Sequence, residues 1–286
     1  MTILHRYNLR SRGLPSTDDC SVPYVVEALL QMKNHPTSIT ISTQTEKPIL
    51  HDKNLILVFD AETTGLIKRD YMTKQLPPPE NCPFITQLSF IIYDLSKKKR
   101  IETFNSYVKL DPSIEIPQIV TNLTGITQEI CQEQGHPITD VLVEFYNAYR
   151  RCGTIVSHNM VFDSDMILIE LQRNHNSMVS QWCDFPSCLF NNIYNISNNV
   201  ESFCTMISSI NICNIIVESK KRGALNKDEW IILEDVDGFI VKKRMHRKWP
   251  KLSELHMHLF GTIPNGLHDS MVDTEVCLDC YLKLIS

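Results

Sequence analysis

LILVFD, residues 55–60, is a run of five apolar side chains closed by an acid. A continuous apolar stretch of that length, with no alternation, is the pattern of a strand buried on both faces, and its carboxylate emerges at the strand tip. Downstream, QLSFIIYD (87–94) and IETFNSYVKL (101–110) flank the charged stretch LSKKKR (95–100), which predicts two antiparallel strands joined by a turn. They follow a Pro-rich loop, LPPPENCPF (76–84). Residues 117–150 read as helical, with Val141, Phe145 and Tyr149 on one stripe at four-residue spacing in ITDVLVEFYNAYR. A short strand, TIVS (154–157), and a helix from about Val161 to Arg173 come next, with Ile167 and Leu171 turned inward. The last helix, about Met271 to Ile285, carries Val272, Val276, Cys280 and Leu284 on one face, which predicts docking on the sheet. Three strands followed by alternating helices and strands indicate an α/β domain with a mixed sheet and helices on its faces, which a ribonuclease H-like arrangement fits.

Two segments stand apart from this core. Residues 1–52 hold turn-formers, three arginines (Arg6, Arg10, Arg12) and one short apolar stretch, Val22 to Leu30, too little for an independent core; they read as an appendage to a domain over 53–286. Within that domain, about 211–250 reads as an inserted β-hairpin, because EWIILEDVDGFIVKKRM (229–245) places Asp237-Gly238 between two apolar runs. From Lys220 to Lys251 there are ten Lys and Arg against five acids, in a chain of net charge −5. The insertion is therefore a candidate nucleic-acid grip, with a solvated edge hairpin protected by lysines as the equal alternative.

The bulk properties narrow the function classes. The chain has 286 residues, 43% hydrophobic and 21% charged, and no apolar run approaching the roughly 20 residues that span a bilayer. The N-terminus has no secretory pattern, so the expected location is intracellular, cytoplasm or nucleus, with no membrane partner. Ten scattered cysteines in that setting read as free thiols, and the pair Cys277 and Cys280 has no matching second pair to make a zinc site. The acidic balance argues against gripping nucleic acid over the whole surface and leaves room for an enzyme acting at an end.

Asp60 and Glu62 stand two apart at the strand tip, so both leave the same face while strand geometry persists. Two such carboxylates repel unless a counter-charge joins them, and an oxygen-preferring divalent cation supplies one. Asp-x-Glu alone is a short pattern that exposed acids also satisfy. It is followed, however, by TNLTGIT (121–127), SHNMVFDSDMI (157–167) and LHDSMVDTE (267–275).

In that order and content the chain resembles the DEDDh exonucleases, which include polymerase proofreading exonucleases and the three-prime repair and RNase T-like RNA-trimming enzymes. FDAETTGL (59–66) matches the first motif, SHNMVFD (157–163) the second, and HDSMVD (268–273) the third, with its five-residue step from histidine to aspartate. Ser270 departs from the alanine common there. The resemblance implies that Asp60, Glu62, Asp163 and Asp273 are metal carboxylates for two Mg2+ ions, with Mn2+ able to substitute, and that His268 is the general base. Asp60 would bridge the ions, Glu62 and Asp273 would complete the ion on the nucleophile side, and Asp163 would hold the second. The chemistry fits the residue types: hydrolysing a phosphodiester needs an activated water and charge stabilisation on entering and leaving oxygens, which two ions about 3.5–4 Å apart provide. An imidazole titrating near neutrality suits proton removal from water.

The resemblance further implies that Ala61, Thr63, Thr64, Gly65 and Leu66 line the pocket for the terminal nucleotide, with Leu123 and Ile126 in its second wall beside Thr124 and Gly125. His158 and Asn159 read as turn stabilisers, and Asp165 as a solvent-facing helix residue. The implied activity is 3′-to-5′ exonucleolytic cleavage at a single-stranded or frayed end, with DNA slightly ahead of RNA. The contrasting reading is an inactive exonuclease fold that binds a replication or repair partner; loss of a catalytic carboxylate would support it, and none is lost.

Overall fold

A computed structural model of the chain describes residues 51–70, 72–181, 188–219, 228–236 and 239–286. The expectations for the N-terminal arginines, for Val22 to Leu30 and for the Asp237-Gly238 turn lie outside those residues. Pro48–Ile67 and Pro78–Ser286 belong to one compact unit, and Lys68–Pro77 to a second. Within Lys68–Pro77, Asp70 Oδ1 accepts the backbone N–H groups of Met72 and Thr73.

The first unit is built on β1 (Asp52–Thr63), the middle strand of five. β2 (Ile85–Asp94) and β3 (Lys99–Tyr107) extend the sheet antiparallel on one side. β4 (Cys152–Ser157) and β5 (Glu201–Cys204) extend it parallel on the other, giving the order β3-β2-β1-β4-β5. Ile56 to Phe59 are fully buried, as the unalternated run requires of a strand covered on both faces. The two-residue repeat sorts its side chains. Phe59 faces Phe145, with ring centroids 5.0 Å apart, whereas Ile56 and Val58 face Cys277, Leu278 and Tyr281. Asp60 and Glu62 continue the Ile56/Val58 face. The register between β1 and β2 shifts between Glu62 and Thr63, leaving Thr86 as an extra residue on β2; such bulges re-aim a strand end, here next to the acids.

The helical stretch 117–150 is three helices: α1 (Gln118–Thr124), α2 (Gln128–Gln134) and α3 (Ile138–Tyr149). α1 stops at Gly125, whose φ of 75° is the left-handed cap that glycine adopts without strain. α2 stops at Gly135, where a Cβ would lie 2.2 Å from the Cys131 carbonyl oxygen and 2.6 Å from Lys109 N. Val141, Phe145 and Tyr149 of α3 are buried on one stripe, as expected. α4 (Met160–Arg173) and α5 (His175–Gln181) follow, then α6 (Asn192–Asn198), α7 (Thr205–Ser208) and α8 (Ile210–Cys213).

The last two helices require a correction. In α10 (Ser270–Ile285) the stripe Val272, Val276, Cys280, Leu284 packs on Leu252, Leu255 and Leu259 of α9 (Leu252–Phe260), not on the sheet. The sheet is met by the neighbouring stripe of Cys277, Leu278 and Tyr281. α10 lies between two apolar partners, so its apolar arc is wider than one heptad stripe. The same geometry buries Cys277 and Cys280 against different partners, and both are free thiols.

The insertion contains the expected hairpin, β7 (Glu229–Val236) against β8 (Phe239–Arg247), with Val236 opposite Phe239. A third strand, β6 (Ile216–Glu218), pairs with the base of β8. No described helix is long and apolar enough to cross a membrane.

Candidate active site

Three elements deliver the acids. β1 carries Asp60 and Glu62 at its end. Asp163 lies in the first turn of α4 and is 3% exposed, and Asp273 lies in the first turn of α10. One oxygen of Asp163 accepts the Ser157 hydroxyl at 2.6 Å, and its carboxyl also accepts the Ala61 backbone N–H, which ties the second motif to the first. Asp273 Oδ2 accepts the His268 backbone N–H at 3.1 Å, while Oδ1 is buried without a hydrogen-bond partner. Carboxylate oxygens of Glu62 and Asp273 and a ring nitrogen of His268 all lie within 4.8 Å of one another. Glu62 therefore meets His268 and Asp273 from the opposite end of the chain; Asp60 and Asp163 are not in that group and adjoin it through the mutual repulsion of the carboxyls.

The electrostatics of the cluster is that of a site short of positive charge. Burial raises the Asp60 carboxyl well above its usual range, and Asp163, Asp273 and Glu62 push it further. Glu62 rises to about 8 through burial, then repulsion from Asp273 and Asp163. Asp163 rises to about 7 through burial, although the Ser157 bond works against it. Asp273 rises to about 6, again chiefly through burial, opposed by the His268 backbone bond. Among the described residues none of the four is ion-paired with Lys or Arg. Several carboxylates with raised proton affinity, one with an unpartnered buried oxygen, form a donor set that suits hard divalent cations.

His268 is exposed, with a φ of 73°, a left-handed conformation that costs a non-glycine residue on the order of 1 kcal/mol. Its own N–H is held by Asp273, and the turn that follows is fixed by Asp269, Ser270 and Gln87. Asp269 is the N-cap of α10; its Oδ1 accepts Met271 N and Val272 N, the pattern that an Asp before a helical run signals in a sequence. Ser270, the departure from the common alanine, donates its hydroxyl to the Asp60 carbonyl at 2.9 Å and so ties α10 to β1. Gln87, buried on β2, bonds both Asp269 and Ser270; a lone glutamine in an apolar strand was its only signal.

Around the cluster, Thr63 donates to the Gly65 carbonyl at 2.7 Å and the Thr64 hydroxyl accepts Phe84 N at 2.9 Å, so both threonines shape the turn after β1. Ala61 is buried, Leu66 is 79% exposed and Leu123 is 56% exposed. Ile126, expected in the same wall, is 2% exposed and offers its surface to the protein interior. His158 bonds Thr205 Oγ1 and the Pro250 carbonyl through its two ring nitrogens, and burial pushes it down to about 4. Asn159 caps α4, its carbonyl accepting Phe162 N and Asp163 N. Asp165 is only partly buried, in contrast to Asp163.

Among the described residues, three cations of the insertion are ion-paired. Arg244 pairs with Glu229 at 2.6 Å, both side chains mostly buried, Lys243 pairs with Glu234, and Lys248 with Glu254. Lys242 is exposed and has no such pair among the described residues.

Residues 57–187 match the family model described as RNase_T, exonuclease. No curated protein sequence matches the chain. Among solved structures, E. coli exonuclease I in complex with a dT13 oligonucleotide is similar, with 18% identity, a TM-score of 0.52, and coverage of 82% of this chain and 41% of that one. A 3′-exonuclease whose structure concerns 3′-end recognition of histone mRNA stem-loop is similar at 14% identity and TM-score 0.51, covering 92% and 70%. The nuclease domain of 3′hExo, a DEDDh family member bound to rAMP, is similar at 14% identity and TM-score 0.50, covering 82% and 92%. This chain thus spans less than half of exonuclease I, and likenesses at these identities speak to the fold.

Proposed function

We propose, from the match of residues 57–187 to the RNase_T exonuclease model and from the DEDDh-like motifs in order, that this chain is a divalent-metal-dependent 3′-to-5′ exonuclease that releases nucleoside monophosphates from single-stranded or frayed ends. The observation that carries the proposal is the set of four carboxyls with raised proton affinities and, among the described residues, no Lys or Arg ion pair, two of them grouped with His268 and one with an unpartnered buried oxygen. Asp60, Glu62, Asp163 and Asp273 would hold two Mg2+ ions, with Mn2+ able to replace them. When bound, such ions supply the positive charge that offsets the attacking and departing oxygens of an in-line displacement. His268, exposed at the mouth of the cluster, takes the proton from the attacking water. Leu66 and Leu123, the exposed apolar side chains of the first motif and of the 121–127 segment, pack against the terminal nucleoside, a contact tolerant of base identity. Residues 53–286 constitute the exonuclease domain, with about 211–250 inserted.

DNA is the favoured polymer. RNA is the second reading, because one similar fold is described with an oligodeoxynucleotide and another with an mRNA stem-loop, and the discriminating contact is to a single 2′-hydroxyl. The test compares wild type with Asp60→Ala on end-labelled single-stranded DNA, duplex DNA and RNA, with magnesium, manganese or chelator. Shortening from the 3′ end that requires metal and falls by about 10³-fold in the variant is expected, about 4 kcal/mol of transition-state stabilisation. Cleavage in chelator, or full activity of Asp60→Ala, would overturn the reading.

A further inference from the structure

Gln87 is fully buried on β2, where it stands directly opposite Glu62 in the register of β1 and β2. Its amide is used from both ends. Nε2 donates to Asn105 Oδ1 at 3.0 Å and to Asp269 Oδ2 at 3.1 Å, and Oε1 accepts the Ser270 backbone N–H at 3.1 Å. Asn105 Oδ1 in turn accepts the Ser89 hydroxyl at 3.0 Å. A glutamine with both donors and its acceptor engaged in a dry site has one orientation. That orientation grips the first two residues of the α10 cap. Asp269 then holds Met271 N and Val272 N with its other oxygen.

The gripped residues sit between His268 and Asp273, the two members of the third motif. His268 precedes the cap in a left-handed conformation and is exposed, so packing does not hold it. Its backbone bond to Asp273 ties it to the same turn of helix. The placement of the imidazole relative to Glu62 is therefore set by how the α10 cap is fixed to the sheet. Two cross-links do that: Ser270 to the Asp60 carbonyl, and Gln87 to Asp269 and Ser270. We propose that Gln87 is a positioning residue for the third motif, fixing His268 against the strand that carries Asp60 and Glu62 without touching substrate; this rests on the exonuclease reading of the site.

The residue type follows from the partners. A glutamate at 87 would have no N–H to give either Asn105 or Asp269 and would face another carboxylate, and a methionine would leave the Ser270 N–H and Asp269 Oδ2 unpaired. A misplacement of about 1 Å at a reacting group costs on the order of 10²-fold in rate, and loss of a partner that orients a catalytic group costs about 10–100-fold.

The experiment is a double-mutant cycle in the full chain: wild type, Gln87→Met, His268→Ala and the double variant, assayed on an end-labelled single strand at saturating Mg2+ or Mn2+. We expect Gln87→Met to lower kcat by about 10–100-fold with KM within about threefold. In the His268→Ala background the same change should cost less than about twofold, because the group it orients is gone. Gln87→Glu, closer in shape, should lose rate likewise, and thermal melts of each variant report folding separately. Equal losses in both backgrounds, or a rise in KM alone, would overturn the proposal. A second readout needs no activity: the His268 ring signals in a proton–carbon spectrum, assigned with His268→Ala, should shift in Gln87→Met while those of His256 stay in place. If wild type fails to cleave, the exonuclease reading falls, and these signals still judge Gln87: an unmoved His268 defeats it.

Discussion

Replacing Glu62 with glutamine should make the metal-free protein more stable while removing its activity. The carboxyl of Glu62 is raised from 4.5 to about 8 by burial and by repulsion from Asp273, Asp163 and Asp269. At pH 7 the unfolded chain ionises this group and the metal-free folded protein resists doing so, so the folded state binds the extra proton and stability falls as pH rises. The penalty is absent below the unfolded value near 4.5 and complete above the folded value near 8. One unit of difference is about 1.36 kcal/mol, so the interval from 4.5 to pH 7 gives an upper bound of about 3.4 kcal/mol, which partial exposure and screening reduce to about 1–3 kcal/mol. A glutamine has no such penalty. For a domain of this size about 2 kcal/mol corresponds to roughly 4–8 °C in Tm.

The assay is calorimetric or fluorescence melting of both proteins in chelator from pH 4 to pH 8.5, then with added Mg2+ or Mn2+. In chelator the Glu62→Gln protein should melt at the same temperature as wild type near pH 4 and several degrees higher near pH 8. With metal the order should narrow or reverse, because a cation at 100 times its Kd adds about 2.7 kcal/mol to the protein that binds it and less to the variant lacking a ligand. A variant that melts at or below wild type in chelator at pH 8, or that gains equally at pH 4, would refute the argument that like charges destabilise the site until a cation joins them.

Three further outcomes follow from other parts of the molecule. Arg173 pairs with the buried Glu170, donates to the carbonyls of Pro79, Cys82 and Pro83, and lies over the Phe84 ring, so Arg173→Met should cost about 3–5 kcal/mol in urea melts; Glu170→Gln in the same chain should recover part of it, and no recovery would mean that the stranded charge is not the cause. His158 is held near 4 by burial, so the unfolded chain takes up its proton first as pH falls through about 6.5, and wild type loses about 2 kcal/mol by pH 5 from this group. His158→Gln, less stable at pH 7.5 for want of the Thr205 and Pro250 bonds, should therefore narrow its gap to wild type by about that amount at pH 5, and a gap that widens would contradict the burial argument. Lys242→Glu should weaken binding of a long single strand, lower the salt slope by about one and spare dinucleotide cleavage; an unchanged slope would take the hairpin off the substrate path.

How much of this was legible in the sequence depends on how each feature is encoded. The unalternated LILVF run forced a central strand, and β1 has that burial. The step from Asp60 to Glu62 is a local spacing, whereas Asp163 and Asp273 were reachable only through the likeness of their short motifs to a known family; each lies in the first turn of a helix. The neighbours of α10 are not local: one helix carries two adjoining apolar stripes, and nothing in their spacing says which meets the sheet and which meets α9. Charge counting is blind to pairing for a related reason: Arg244 and Lys243 meet Glu229 and Glu234 of the facing strand, and a count along the chain does not show which cations are so engaged. Gln87 is the furthest from local legibility, because its partners Asp269 and Ser270 lie 182 and 183 residues away. A motif names groups that act on a substrate, and those types are constrained by chemistry alone. The groups that aim them are constrained only by hydrogen-bond geometry at the place where the chain returns, so ordinary residues can fill the role and only the fold identifies them.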